Sequence, residues 1–348
     1  MPAVHLPRRA GRRTNLGLLA LLLLAGGTGV LAFGVGTPLP ARLVAAAHGA
    51  AGLGLLLLVP WKAVVVRRSR SRPAGRRDPV AAWALAVLLL LTLVTGVVHT
   101  ATGATLGGVG LLQVHVAAGV GTGALLVVHA VGSRQRPRPA DLSRRALLRA
   151  GALAAGSVAL WGAVEGGLRL AGAPGARRLG TGSHERGSGD PAAMPVTQWF
   201  TDTVPADAGS DPDDTVELVA GSRTTRLRAA DLDRGDRVTA VLDCTGGWYA
   251  EQQWRGVRLD RLLAGLDLPD GGSVDVVAVS GYRRRLPLRD AGSLLLATHC
   301  AGRPLSAGHG APVRLVAPGR RGYWWVKWVR RVEVVDAPWW AQPPVPLR

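Results

Sequence analysis

The chain has 348 residues, with 42 Lys and Arg against 23 Asp and Glu and a formal net charge of +19. Such a charge suits nucleic-acid binding, but the arginines of the first half stand in short stretches beside apolar runs. That is the positive-inside pattern of a membrane protein, and it sets nucleic acid aside as a partner. The only two cysteines, Cys244 and Cys300, exclude a disulfide-rich scaffold, and eight of the eleven tryptophans lie beyond residue 170, so the two halves are built differently.

In chain order, the first apolar run is Leu16–Phe33, after Arg8, Arg9, Arg12 and Arg13. The second is Leu39–Val59, behind the turn Gly36-Thr37-Pro38; the third is Ala81–Ala101 and the fourth Leu111–Val131. Each has the length to cross about 30 Å of hydrocarbon at a rise of about 1.5 Å per residue. Lys62, Arg67, Arg68, Arg70, Arg72, Arg76 and Arg77 follow the second run, and Arg134, Arg136, Arg138, Arg144, Arg145 and Arg149 follow the fourth. The opposite turns carry Arg42 and, across Gly103–Gly110, no charge. The N-terminus and both arginine-rich segments are therefore expected on the cytoplasmic side. A fifth run, Leu147–Leu170, puts the C-terminal half outside the cytoplasm if it spans, and inside if it lies in the interface. Its opening, Ser143-Arg144-Arg145-Ala146-Leu147-Leu148-Arg149, resembles an internal twin-arginine export signal; it also reads as an ordinary arginine-flanked helix start.

Histidines inside apolar helices are functional candidates by default. His48, His99 and His115 fall near the outer ends of their helices, His129 near an inner end. A b-type haem needs two imidazoles from facing helices. His48 with His115 is the expected pair, with His99 as substitute for either; interfacial histidines packed on Gly and Ala are the alternative. The helix count and histidine placement loosely resemble membrane cytochrome b and ferric-reductase-like proteins.

Residues 172–195, rich in Gly, Ala, Ser, Arg and Pro without periodicity, read as a flexible linker. Beyond it, Thr215–Val219 with Thr224–Leu227 reads as a hairpin, Val238–Leu242 as a strand and Leu259–Leu266 as a helix. Val274–Val279, Leu294–Thr298, Ala311–Val316 and Val329–Val335 read as further strands, giving a strand-rich α+β domain. No dinucleotide GxGxxG, no phosphate-binding loop and no HExxH zinc pair is present.

The strand Val238–Leu242 runs into Asp243-Cys244-Thr245-Gly246-Gly247-Trp248, with Trp254-Arg255-Gly256-Val257-Arg258-Leu259 beyond. This region resembles the cofactor-cysteine region of the sulfite oxidase family of molybdopterin enzymes. Gly308-His309-Gly310-Ala311-Pro312-Val313-Arg314-Leu315-Val316-Ala317-Pro318-Gly319 resembles that family's second signature. Gly322-Tyr323 with Val326-Lys327-Trp328-Val329 resembles the third, and the three come in family order. The resemblance implies a Mo-molybdopterin cofactor with Cys244 as the protein's thiolate ligand, Thr245 and Trp248 beside it, and His309, Arg314, Arg320 and Lys327 contacting pterin or phosphate. A soft anionic sulfur suits such a metal; Cys300 lacks a comparable motif and reads as structural. Two departures matter. Trp324-Trp325 stands where relatives have a polar residue, and Gly246-Gly247-Trp248 replaces the Asn/Arg-rich run of sulfite-oxidising members. A sulfoxide or other small oxo-compound is thus expected over sulfite.

The resulting expectation is a multi-domain chain: an all-α transmembrane helical bundle followed by an α+β, strand-rich, sulfite-oxidase-like molybdopterin-binding domain. Residues 1–14 form a basic cytoplasmic N-terminus, 15–132 a four-helix bundle, 133–170 a basic loop and fifth helix, 171–195 the linker and 196–348 the oxidoreductase domain. Membrane lipid, a quinone or other membrane electron carrier, and a small oxo-substrate are the expected partners, with Mo-molybdopterin and haem b as cofactors. The competing readings are a non-catalytic membrane-anchored cofactor-binding or interaction protein, and a transporter or sensor worked by the bundle.

Overall fold

A computed structural model describes residues 11–36, 38–70, 79–133, 143–199, 201–209 and 214–346. The arginines expected at 8, 9, 72, 76, 77, 134, 136 and 138 lie outside them. The chain divides into two compact units, one drawing on residues up to Phe33 and from Pro38 to His184, the other on Gly34–Thr37 and everything from Glu185 onward.

The first unit is helical: α1 (Arg12–Gly34), α2 (Pro38–Leu57), α3 (Val59–Arg70), α4 (Pro79–Thr102), α5 (Leu111–Ser133) and α6 (Arg144–Leu170). All but α3 are long and apolar enough to cross a membrane, and between 6% and 33% of each apolar window is buried. Most of each run is therefore half-buried or exposed, and the exposed apolar surface is suited to lipid rather than water. Hydroxyls on these helices are satisfied locally, as an apolar setting requires: Thr92, Thr95 and Ser157 donate to carbonyls one turn back at 2.7, 2.6 and 2.8 Å. α4 packs along α5 and α2 along α6. Close approach of α2 to α6 needs Gly49 and Gly54, where an added Cβ would strike Trp161 and Ser157. Leu21, Ala51 and Leu55 form a buried cluster under Leu93 and Leu153, joining α1, α2, α4 and α6. The basic segment after the second run is helical as far as Arg70, where a loop is expected from its charge. No Gly or Pro interrupts α3 between Trp61 and Arg70. A small hairpin of β1 (Thr105–Leu106) and β2 (Val109–Gly110) joins α4 to α5.

A two-residue strand, β3 (His184–Glu185), falls at the division. The second unit carries β4 (Thr215–Ala220), β5 (Arg223–Arg228), β6 (Asp236–Cys244), β7 (Trp248–Arg258), β8 (Ser273–Ala278) and β9 (Arg283–Pro287). It continues with β10 (Leu295–Cys300), β11 (Arg303–Pro304), β12 (Arg314–Val316) and β13 (Val329–Val335), and its one α-helix among the described residues is the short α7 (Leu259–Leu263). One sheet runs β5-β4-β13-β8-β9, with β4 and β13 parallel. In the other, β7 lies between β6 and β10, and β10 also pairs β11 and β12. The fully buried Trp254, Leu286, Leu295, Leu296, Leu315 and Val326 form the core.

β7 is the longest strand, yet its sequence does not mark it as one: its inward positions include Gln252, 1% exposed, and Gly256, both weak strand formers. Gly256 is required there, since a Cβ would overlap the Leu296 carbonyl of β10. Residues 186–194, expected as tether, lie along β7. Arg186 and Gly189 donate backbone N–H to Tyr249 (2.8 Å) and Glu251 (3.0 Å), and Gln252 Nε2 donates to the Gly187 carbonyl at 2.6 Å.

Candidate cofactor site

β6 and β7 form a hairpin whose last pair is Cys244 with Trp248. The turn depends on Gly247, at φ +87°, a conformation that glycine adopts without strain. The Gly246 N–H points to Cys244 Sγ at 3.3 Å. On the other side Gly322 packs so tightly that a Cβ would lie 3.1 Å from the Cys244 Cα. The sulfur is thus held by backbone at a strand end, at the wall of a cavity. Pro195, Thr197, Leu242, Trp248, His309, Arg314, Gly322, Trp325 and Lys327 complete the lining. Neither cysteine forms a disulfide.

Burial pushes the Cys244 thiol up, and it is opposed by the Gly246 N–H, Arg321, Thr197 and Lys327. Burial therefore disfavours the thiolate, while these neighbours favour it. Arg321 is buried against Asp243 in an ion pair, which fixes the loop beneath the cysteine.

Three nitrogen-bearing side chains converge opposite. Arg314 is 1% exposed; its Nη1 donates to the His309 carbonyl at 3.1 Å, its Nε donates to nothing, and its guanidinium lies over Trp254 (4.9 Å) and Trp325 (5.6 Å). Burial brings it down to about 10. Lys327 Nζ donates to the carbonyls of Thr197 (2.8 Å) and Gly308 (2.6 Å), and burial beside Arg314 brings it down to about 7. His309 shares a hydrogen bond with Ser306 Oγ at 2.8 Å and faces the Met194 carbonyl at 3.3 Å; burial, Arg314 and Lys327 bring it down to about 4. Gly310, at φ +104°, lets the three meet, since a Cβ would lie 3.0 Å from that of Arg314 and 3.1 Å from that of Lys327.

The structure therefore brings Cys244, Trp248, His309, Arg314 and Lys327 to one cavity, with Thr245 half-buried in the adjoining turn. Arg320 is placed elsewhere: it pairs with Asp290 at 2.6 Å and stacks on Trp324, because its neighbour Arg321 takes the inward place. Trp324 is outside the lining too, with Arg284 at 4.1 Å over its ring. Thr197 is a site residue that the sequence does not announce. It accepts from Trp248 Nε1 at 3.0 Å and from Lys327, but stands in an irregular stretch that no periodicity marks.

In the helical unit, the His48 and His115 rings lie 5.8 Å apart at 86°. His48 Nδ1 is 2.9 Å from the Ala25 carbonyl and His115 Nδ1 is 2.8 Å from that of Thr92. A carbonyl only accepts, so each Nδ1 carries the proton and each Nε2 is left as a ligand atom. His99 pairs instead with His184, at 5.1 Å. His129 is exposed on α5. Among the described residues no cluster of three or more His, Cys, Asp or Glu is arranged for a bare metal ion.

Residues 215–342 match the family described as "Oxidoreductase molybdopterin binding domain". The second unit thus carries a molybdopterin-binding oxidoreductase domain. The chain is 32% identical over 96 residues to the nitrate reductase [NAD(P)H] of Hordeum vulgare, covering 23% of this chain and 11% of that relative. It also resembles the sulfane dehydrogenase SoxCD of Paracoccus pantotrophus, at 25% identity and a TM-score of 0.34, over 42% of this chain and 41% of that one. The chain thus spans less than half the length of either.

The cavity fits the group that this family binds. It presents one sulfur, with an arginine bearing a buried unsatisfied N–H and a lysine for an anionic phosphate.

Proposed function

We propose that the chain is a membrane-anchored molybdenum oxidoreductase that transfers an oxygen atom to or from a small oxo-compound, of the sulfoxide class rather than sulfite. The observation that carries this is the convergence of Cys244, His309, Arg314 and Lys327 on one cavity of a molybdopterin-binding domain. Bound there, the molybdenum–pterin group supplies two-electron oxygen-atom transfer. Cys244 would ligate the metal, Arg314 and Lys327 would hold the phosphate and pterin, and His309 would hydrogen-bond the pterin. Thr245 and Trp248, next to Cys244 in the same hairpin, would flank the bound group. The preference for a neutral substrate rests on the walls: Trp248 and Trp325 are apolar, and Arg314 is already faced by two rings. A sulfite site needs cations directed at the substrate.

In this reading the helical unit is the electron conduit. His48 and His115 hold a b-type haem, supported by their spacing and their carbonyl-bound Nδ1 atoms. The conduit draws on a quinone or another carrier dissolved in the bilayer. Arg67, Arg68, Arg144, Arg145 and Arg149 mark the cytoplasmic side, the run at Arg144-Arg145 is the export address, and the catalytic unit stands outside the cytoplasm. Steady-state assay of the detergent-purified chain with dimethyl sulfoxide and a reduced viologen, beside sulfite and ferricyanide, tests the substrate class. Turnover of sulfoxide alone is expected; efficient sulfite oxidation contradicts it.

A further inference from the structure

Asp202 has no part in the groups assigned so far. Its Oδ1 is buried and meets no hydrogen-bond donor, although the residue as a whole is half-buried and its neighbours Thr201 and Thr203 are exposed. A buried carboxylate oxygen ordinarily has a partner, because without one the lost hydration is not replaced. One oxygen inside and chain neighbours in solvent is the placing that a point of proton entry needs.

Asp202 is not in the cavity lining itself, but it stands close behind it. Thr197, five residues earlier, lines the cavity, and its carbonyl accepts from Lys327 Nζ at 2.8 Å. The Asp202 N–H donates to the Trp199 carbonyl at 2.9 Å, closing a turn in this segment. The carboxylate acts on two buried groups: it opposes the fall of Lys327, and it adds to the rise that burial imposes on the Tyr282 hydroxyl. Tyr282 is 7% exposed, and its hydroxyl donates to the carbonyl of Tyr323, next in the chain to Gly322 of the lining. The hydroxyl oxygen keeps a lone pair with which to accept, and its hydrogen can rotate to another acceptor.

The chemistry needs such a path. Reducing a sulfoxide to a sulfide and water takes up two electrons and two protons, while Leu242, Trp248 and Trp325 give the cavity carbon walls that do not carry protons. The polar groups of the lining are committed. His309 is engaged by Ser306 on one nitrogen and faces the Met194 carbonyl with the other. Arg314 keeps its proton, and Lys327 donates to two carbonyls. Asp202 and Tyr282, behind the lining, are free to take up protons and pass them on.

We infer that Asp202 is the proton-entry residue for oxygen-atom transfer, acting through the Tyr282 hydroxyl; this rests on the oxo-transfer reading above. The S–O bond breaks, the oxygen leaves as water, and the two electrons come from the reduced carrier. For each of the two protons, the Asp202 carboxylic acid gives its hydrogen to the Tyr282 oxygen, Tyr282 passes its own inward, and solvent reprotonates Asp202. Asp202 touches neither substrate nor metal and is a positioning residue for the proton.

Reduction of dimethyl sulfoxide by reduced viologen, with the full chain in detergent, tests this in wild type, Asp202→Asn and Asp202→Glu. Asp202→Asn is expected to lower kcat on the order of 100-fold, the scale of a lost acid–base group, with KM and molybdenum content unchanged. Asp202→Glu should keep most of the rate, and imidazole buffer at rising concentration should restore part of it to Asp202→Asn by standing in as the acid. A wild-type rate in Asp202→Asn overturns this proposal alone. So does molybdenum lost from that variant, or a slow rate that neither Asp202→Glu nor buffer recovers. Wild type without molybdenum or turnover overturns the oxo-transfer reading and this proposal with it. Urea unfolding of protein made without the cofactor is the second measurement, in Asp202→Asn, Tyr282→Phe and the double variant. The unfolding constant of the double variant should depart by roughly fivefold from the product of the single effects, as for groups in one network. Independent effects mean that the two groups do not meet, and overturn the path.

Discussion

At the scale of single residues, a few buried groups have their ionisation set by where they sit. Lys327 falls from the usual lysine value of 10.5 to about 7. Between those values the unfolded chain holds a proton that the folded one does not, so stability rises with pH across the window and is lowest below it. His309, brought down from 6.5 to about 4, adds a second loss as pH falls between those values. Protein made without molybdenum-cofactor synthesis is therefore expected to resist urea better as pH rises from 7 toward 10, followed by tryptophan fluorescence. Lys327→Met should flatten that slope; an equal slope in the variant contradicts the assignment. Cofactor phosphate beside Lys327 should flatten it too, by keeping the amine charged in the folded state. Cys244→Ser removes the proposed metal ligand, and activity should fall further than the roughly 10–100-fold typical of losing a ligand's supporting contacts.

At the scale of elements, the site is a meeting of strand ends and turns, and its weak points are geometric. The Asp243–Arg321 pair ties the end of β6 to the loop before Gly322, and both partners are buried. Removing one charge takes from the other its buried counter-ion, so Asp243→Asn should cost about 3–5 kcal/mol, read as a lowered unfolding midpoint of the catalytic unit. Gly310→Ala should cost on the order of 1–3 kcal/mol from its backbone angle alone, and should also release cofactor, because the added carbon meets Arg314 and Lys327. The reach of the sequence is clear at this scale. The apolar runs of α1, α2, α4, α5 and α6 are legible because each is long and unbroken. β6, β8, β10 and β13 are legible from runs of Val and Leu. β7 and β9 are not, since Gln252, Gly256 and Arg284 occupy inward positions whose partners are distant in sequence. The cysteine, histidine, arginine and lysine of the site stand in motifs that single them out. Arg320 and Arg321 are adjacent, and only the fold decides which one points inward. Thr197 reaches its place along irregular chain, where no pattern of residues carries the information.

At the scale of the whole molecule, one chain joins a helical unit with five apolar helices of membrane-crossing length to a molybdopterin-dependent oxidoreductase domain. The haem assignment predicts a b-type spectrum in the purified chain that disappears in His48→Leu and in His115→Leu while molybdenum is retained. A bundle that serves only as an anchor gives no such spectrum. The most direct test of the central claim is the molybdenum and pterin content of the full chain, purified from a host that makes the cofactor, for wild type beside Cys244→Ser. Molybdenum and pterin roughly equimolar with wild-type protein, and molybdenum lost from the variant, is the result expected. Molybdenum absent from wild type, or held equally by both, contradicts it.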